Sequence, residues 1–324
     1  MIMEIVSATF GISFQYLDSI AFLILSAIGL SIIFGMMGVI NMAHGELMMI
    51  GAYITAFLMY AGIPVPIALI FAALGSGLAG IILERLIIRF FYKQLLSSLV
   101  VTWGISMILS QVFLISFGPT MESLSTPFSD IKILVGGNIN FAILGKESFE
   151  ALLNENGRLP EGVESYGIYR LVMFLVSILL IILIILILKF TSFGAKARAT
   201  MENPNMANAL GINTSRIYAY TFGFGSALAG IAGGMFALTA SITPFFGAAY
   251  TAKAFVTVVV GGGANLVSGL LASVLSLGGI QTLFTNIFSV YIGFVSIIVA
   301  AFIILLFLPT GISGYFEKIK SRSN

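Results

Sequence analysis

Asn41, His44 and Glu46 fall within six residues of one another, between two long apolar runs. Asn41 offers amide donors and an acceptor, and Glu46 an acceptor or a charge that needs a partner. If the flanking runs lie in a bilayer, such a charge costs about 2.5–3.5 kcal/mol on insertion scales unless it faces a cavity or a partner. Two readings stay open. One is a helix break beside a polar solute path, because irregular backbone at membrane depth must be buried in protein or line water. The other is a short cytoplasmic turn, with Asn41 capping the next helix and Glu46 in its first turn. Zinc hydrolysis is improbable, since His44 is the single histidine, cysteine is absent and no H-E-x-x-H occurs.

Two further interruptions carry polar groups. In Val260–Leu266, three glycines including Gly262 permit a break and Asn265 can cap the helix that follows. No Gly-Lys-Ser/Thr follows, so this is not a phosphate loop. Gly262 and Asn265 therefore join Asn41, His44 and Glu46 as candidates for the solute pathway. Lys253 upstream reads as an interfacial residue whose stem lies in lipid. The second interruption is Phe190–Arg216. Pro204 breaks it, Asn205–Leu210 forms a short helix with Met206, Ala209 and Leu210 on its apolar side, and Gly211 ends it. Such a helix suits a membrane surface or a partner's groove, or is a plain connection.

The elements that must position these residues are membrane helices. Of 324 residues, 59% are hydrophobic and 9% charged, whereas soluble domains carry about 25% charged residues. So little charge cannot coat a water-facing surface. The net charge of +2 suggests no nucleic acid partner. The 35 glycines recur inside apolar runs, as close helix packing requires. Strong candidates for spanning helices are Ile20–Met37, Pro66–Leu83, Leu96–Phe117, Leu171–Leu188, Ile217–Leu238, Ser268–Ile287 and Tyr291–Leu308. Leu47–Tyr60 and Phe245–Val260 are shorter, and each is a crossing, a half-helix or a re-entrant segment. The expected fold is an all-α polytopic bundle of about 8–9 membrane segments in a single domain. Met1–Gln15 lacks a basic start and does not read as a cleaved signal peptide.

Basic residues set the orientation. Arg85, Arg89 and Lys93, then Lys189, Lys196, Arg198 and Arg216, then Lys318, Lys320 and Arg322, are placed in the cytoplasm. The acidic loop from Gly118 to Arg170 is placed outside. Within it Lys146–Asn154 is an expected short helix, stopped by Asn154–Gly157, in either a lid or a docking surface. Gly225, Ala229 and Gly233, with Ser226, Gly230 and Gly234, form two stripes of small residues at four-residue spacing, suited to close helix approach. The run Gly75–Ile81 echoes Gly225–Ile231. Inverted repeats give such echoes, but its short extent favours ordinary packing.

Three segments carry a family resemblance. Gly29–Tyr53, Arg198–Ile217 and the C-terminal stretch with Val258–Gly269 and Leu308–Gly314 resemble permease subunits of importers for branched-chain amino acids and urea, driven by ATP-binding cassettes. The resemblance implies a bacterial inner-membrane protein that forms half of a solute pathway with a second, different permease. It implies two cytoplasmic ATPase subunits, which would hold ATP and Mg, and an external solute-binding protein. This chain would bind no cofactor and would be no enzyme; it has no Walker A motif. Glu202, Asn203, Met206, Ala207, Leu210 and Gly211 would couple to an ATPase groove. Thr102–Gly104 and Asn41–Glu46 resemble the urea branch, while Pro309–Gly314 equally resembles the amino-acid branch. The expectation leans to urea or a short amide, with branched-chain amino acids close behind. The competing class is a passive channel for a small neutral solute.

Overall fold

The structure, a computed structural model, describes residues 2–92, 94–122, 124–136, 141–153, 159–160, 163–263 and 265–323. It is 77% helical. In chain order come α1 (Ile2–Met37), α2 (His44–Tyr60), α3 (Val65–Leu86), a 3₁₀ turn (Ile88–Phe91), α4 (Leu95–Phe117), β1 (Lys132–Gly136), β2 (Phe141–Leu144), α5 (Lys146–Glu150) and β3 (Val163–Gly167). Then follow α6 (Ile168–Phe190), α7 (Ser192–Glu202), α8 (Pro204–Ala209), α9 (Thr214–Ala237), α10 (Phe246–Gly261), α11 (Leu266–Ile287), α12 (Val290–Phe307) and α13 (Gly311–Ser323).

Among the described residues, six helices are long and apolar enough to cross a membrane: α1, α3, α4, α6, α11 and α12 with its extension. α9 has the length, at 24 residues, but its glycines and serines dilute its apolar character. α2 and α10 are shorter, at 17 and 16 residues. This multi-pass bundle is built from the inside outward. The apolar window of α1 is 83% buried, against 22–39% in the other five. α1, α2 and α9 therefore form the interior, and the exposed apolar faces of α3, α4, α6 and α12 form the perimeter.

The glycine stripes of α9 meet three helices. Gly225 lies against Gly29 and Ile33 of α1, and Gly233 against the Met48 backbone of α2. Gly230 touches Gly51 of α2 with Ala72 and Ser76 of α3, and Gly234 touches Thr55 and Leu69. A methyl group at Gly230 or Gly233 would run into backbone atoms of the neighbour, so these positions admit no larger residue at this spacing. The echoing runs prove to be one another's packing partners: Gly77 faces Gly223 and Ala227, and Gly80 faces Ser226 and Phe222.

One part of the fold departs from an all-α bundle. Between α4 and α6, β1 pairs antiparallel with both β2 and β3, with Ile133 opposite Ile143 and Tyr166. Ile133 and Val135 pack with Tyr166 on Phe10 and Phe14 of α1, and the Phe14 and Tyr166 ring centroids are 4.8 Å apart. α1 is accordingly longer than the expected Ile20–Met37. Its 36 residues rise to roughly 54 Å, well beyond a bilayer core of about 30 Å, and the surplus carries the sheet. The expected loop helix is present as α5. Its expected stop at Asn154–Gly157 lies outside the described residues.

Candidate functional site

Residues Gly38–Ala43 leave the helical path between α1 and α2. Gly38, at φ +62°, makes the turn that an L side chain rarely adopts. The chain then rises back into the bundle. Thr102 of α4 holds it there, accepting from Met42 N at 2.9 Å and lying 3.3 Å from Ile40 O. α2 starts deep inside. His44 Nε2 donates to Ser26 O of α1 at 3.0 Å, and Ser76 Oγ, midway along α3, donates to Leu47 O at 2.9 Å.

The start of α10 comes to the same place. Gly45 N donates to Thr251 Oγ1 at 2.9 Å, and Gly45 and Gly247 touch backbone to backbone. Two helices thus begin within the bundle, with their N-terminal ends in contact. The peptide dipoles of both give this point partial positive charge, and Glu46 stands in the first turn of α2.

Asn41, His44 and Glu46 are all essentially inaccessible. Asn41 Oδ1 accepts from Ala43 N at 3.1 Å. This bond closes a local turn inside the protein; Ala43 holds the cap position of α2 and no side chain caps that helix, so the capping role that one sequence reading gives Asn41 is not found. Ser106 Oγ, midway along α4, donates to Glu46 Oε1 at 2.6 Å, and Ser110 interacts with the same carboxyl. Asn41 Nδ2, His44 Nδ1, Glu46 Oε2, Tyr53 OH, Thr55 Oγ1 and Thr221 Oγ1 are buried without a hydrogen-bond partner. Each such group costs about 1–3 kcal/mol, and several lie together on and around α2.

The partner face on α4 is not among the sequence candidates. Ser98, Thr102, Ser106 and Ser110 recur every four residues and line one side of a largely apolar helix. That spacing is the signal available in the sequence, and it is weak because serine and threonine also bond back to their own helix. Thr102 Oγ1 does so with Ser98 O at 2.7 Å. Further along the same seam Tyr53 and Phe57 of α2 meet Phe113 and Phe117 of α4, with ring centroids 4.8–5.3 Å apart across the two helices.

Gly262 and Asn265 do not join this cluster. Gly262, at φ +80°, abuts Thr310 and Gly311, while Asn265 Oδ1 caps α11 through Ser268 N at 3.3 Å. Both close the turn from α10 to α11, at the opposite end of α10 from Gly247. Lys253 Nζ stands 4.6 and 3.8 Å from the ring centroids of Phe22 and Phe294. Both rings also line a cavity of about 330 Å³, with Gln15, Asp18, Arg170 and Gln281 on its walls.

The connection from α6 to α9 forms two helices, of which α7 has no counterpart in the sequence expectation. Asn203 Oδ1 accepts from Asn205 N and Met206 N, both at 3.1 Å, and Pro204 opens α8. Gly211, at φ +83°, turns the chain out. Ala207 is buried against the bundle, while Glu202, Asn203, Met206 and Leu210 are exposed. The apolar side of α8 therefore points away from its own chain.

A multi-pass helical membrane protein with two helices broken in its interior is the class that this fold and site define. The chain belongs to the family described as branched-chain amino acid transport system, permease component, whose sequence model matches residues 12–310. It is 30% identical over 307 residues to the high-affinity branched-chain amino acid transport system permease protein BraD of Pseudomonas aeruginosa, covering 91% of this chain and 92% of that one. It is 28% identical over 302 residues to the corresponding permease protein LivH of Salmonella typhimurium, again covering 91% and 92%. A probable branched-chain amino acid transport permease protein LivH of Methanocaldococcus jannaschii is 28% identical over 313 residues, covering 92% and 90%. No solved structure matches the chain. The lean toward urea finds no support among these relatives, which favour the amino-acid branch.

Proposed function

We propose that the chain is one permease subunit of an ATP-driven importer of branched-chain amino acids in a bacterial inner membrane. The observation that carries this reading is likeness along nine-tenths of the chain to permeases named for that transport. The chain supplies half of the pathway beside a second permease. Arg85, Arg89 and the α7–α8 connection lie in the cytoplasm, and the sheet lies outside, where a solute-binding protein docks. Counting α2, α9 and α10 with the six apolar helices gives nine membrane segments, an odd number that fits an outside start and an inside end.

In this arrangement α8 is the coupling helix. Met206 and Leu210 enter a groove of the ATPase subunit, while ATP and Mg are bound there and not on this chain. The solute path runs along the seam between α2 and α4, where Asn41, His44 and Glu46 are gathered. α4 parts from α2 when the ATPases switch state. The breaks, the unpartnered polar groups and the hydroxyl stripe support this placement, because a bilayer tolerates such groups only beside protein or a polar path.

The test is uptake by the complex purified with its neighbouring gene products and reconstituted in vesicles. ATP-dependent accumulation of leucine, isoleucine or valine is expected. Accumulation of urea instead would restore the other branch, and conduction without ATP by a self-assembled pore would establish the channel.

A further inference from the structure

We propose that Glu46 is the counter-group for the ammonium of the transported amino acid, in a cleft that opens between α2 and α4. The proposal rests on the amino-acid transport reading above and names the chemistry of that site. Four features of the structure meet at this carboxyl. It is wholly buried midway along the bundle. Its described partners are hydroxyls, from Ser106 and Ser110, and no lysine or arginine pairs with it among the described residues. Its second oxygen has no donor. One stripe of α2 continues from Glu46 to Tyr53, seven residues on, whose buried hydroxyl is also unpartnered.

A carboxylate accepts from an ammonium more strongly than from a hydroxyl. The place is therefore built for a cation that is not part of this chain's described contacts. Its surroundings specify the rest of the ligand. Toward the sheet end the seam is walled by Tyr53, Phe57, Phe113 and Phe117. Aromatic faces attract an ammonium and bury a branched apolar side chain. A carboxylate on the same seam as four rings, about two helical turns from the nearest, suits a solute with a positive head and an apolar body. Urea has neither. Glu46 and Tyr53 are inaccessible in the conformation described, so entry requires α4 to move.

The test uses the purified permease–ATPase complex and reads thermal stabilisation by three probes. These are L-leucine, 3-methylbutylamine, which keeps the ammonium and branched chain, and 4-methylpentanoate, which keeps the chain and a carboxylate but lacks the ammonium. Wild type is expected to respond to the first two and not to the third. Glu46→Gln should weaken the response to both amines by at least about tenfold, the equivalent of one charge-assisted hydrogen bond. Glu46→Asp, which keeps the charge, should restore part of it, and it decides the matter if the Gln variant fails to assemble. No response in wild type, an equal response to 4-methylpentanoate, or a Gln variant indistinguishable from wild type would each overturn the assignment. Reconstituted wild type that imports leucine while these probes fail would remove the Glu46 role alone. Absence of leucine import would remove the transport reading itself.

Discussion

α9 meets α3 and α2 backbone to backbone, whereas α4 meets α2 through hydroxyl groups and ring edges. In the first seam Gly230 and Gly233 let main chains touch, and dispersion contacts over many atoms hold the helices together. In the second, one bond from Ser106 to Glu46 and a small network at Thr102 span the interface, beside polar atoms with no partner. Dense apolar packing resists sliding. A few hydroxyl bonds can be exchanged for bonds to a solute or to water at little net cost. The difference assigns the two seams different work: α1, α2, α3 and α9 act as a fixed block, and α4 as the part that moves against it.

The largest effect should come from filling the fixed seam. Gly233→Val adds a branched side chain whose first carbon already meets the Met48 backbone, and overpacking of this kind costs about 1–3 kcal/mol or more. Assembled complex recovered from membranes should fall sharply; wild-type yield would show that this seam is looser than its geometry implies. Thr102→Val should act next, on function more than on assembly. It leaves the half-buried Met42 N–H without its acceptor, a penalty of about 1 kcal/mol that falls on the break beside the path. Vesicle uptake of leucine should drop several-fold while the complex still forms. Collapse of assembly instead would make Thr102 part of the fixed block.

Smaller effects should follow away from both seams. Met206 and Leu210 are exposed, so the double alanine variant should leave permease stability unchanged and lower ATP-driven uptake. Unchanged uptake and ATPase stimulation would remove α8 from the coupling role. Asn265→Ala should cost about 1 kcal/mol through the lost cap of α11 and leave uptake intact. A selective loss of uptake would return Asn265 to the pathway.

Much of the bundle was legible before any coordinates. The ends of α3, α4, α6, α9, α11 and α12 fall within a few residues of the apolar runs, because spanning length is a strong constraint. Asn203, Pro204 and Gly211 likewise mark the ends of α8 by cap, ring and turn. Depth was not legible. Apolar periodicity is the same for a helix that begins at the membrane surface and one that begins in its middle, so the inner start of α2 appears only through Ser26, Ser76 and Ser106. The sheet was hidden for another reason. Its strands have five, four and five residues, too short for alternation to rise above the loop around them. The place of Gly262 was not legible either, because a glycine turn between two helices has the same local sequence as one beside the polar cluster.

The absence of native cysteine makes the moving part directly measurable by site-directed spin labels. One pair joins Ile108 of α4 to Ile12 of α1, and a reference pair joins Leu78 of α3 to the same Ile12; all three side chains are exposed. In the assembled importer the Ile108 pair should change its distance distribution on ATP binding while the Leu78 pair stays fixed. Equal shifts in both pairs, or no shift at Ile108 during active transport, would contradict the division into a fixed block and a moving α4.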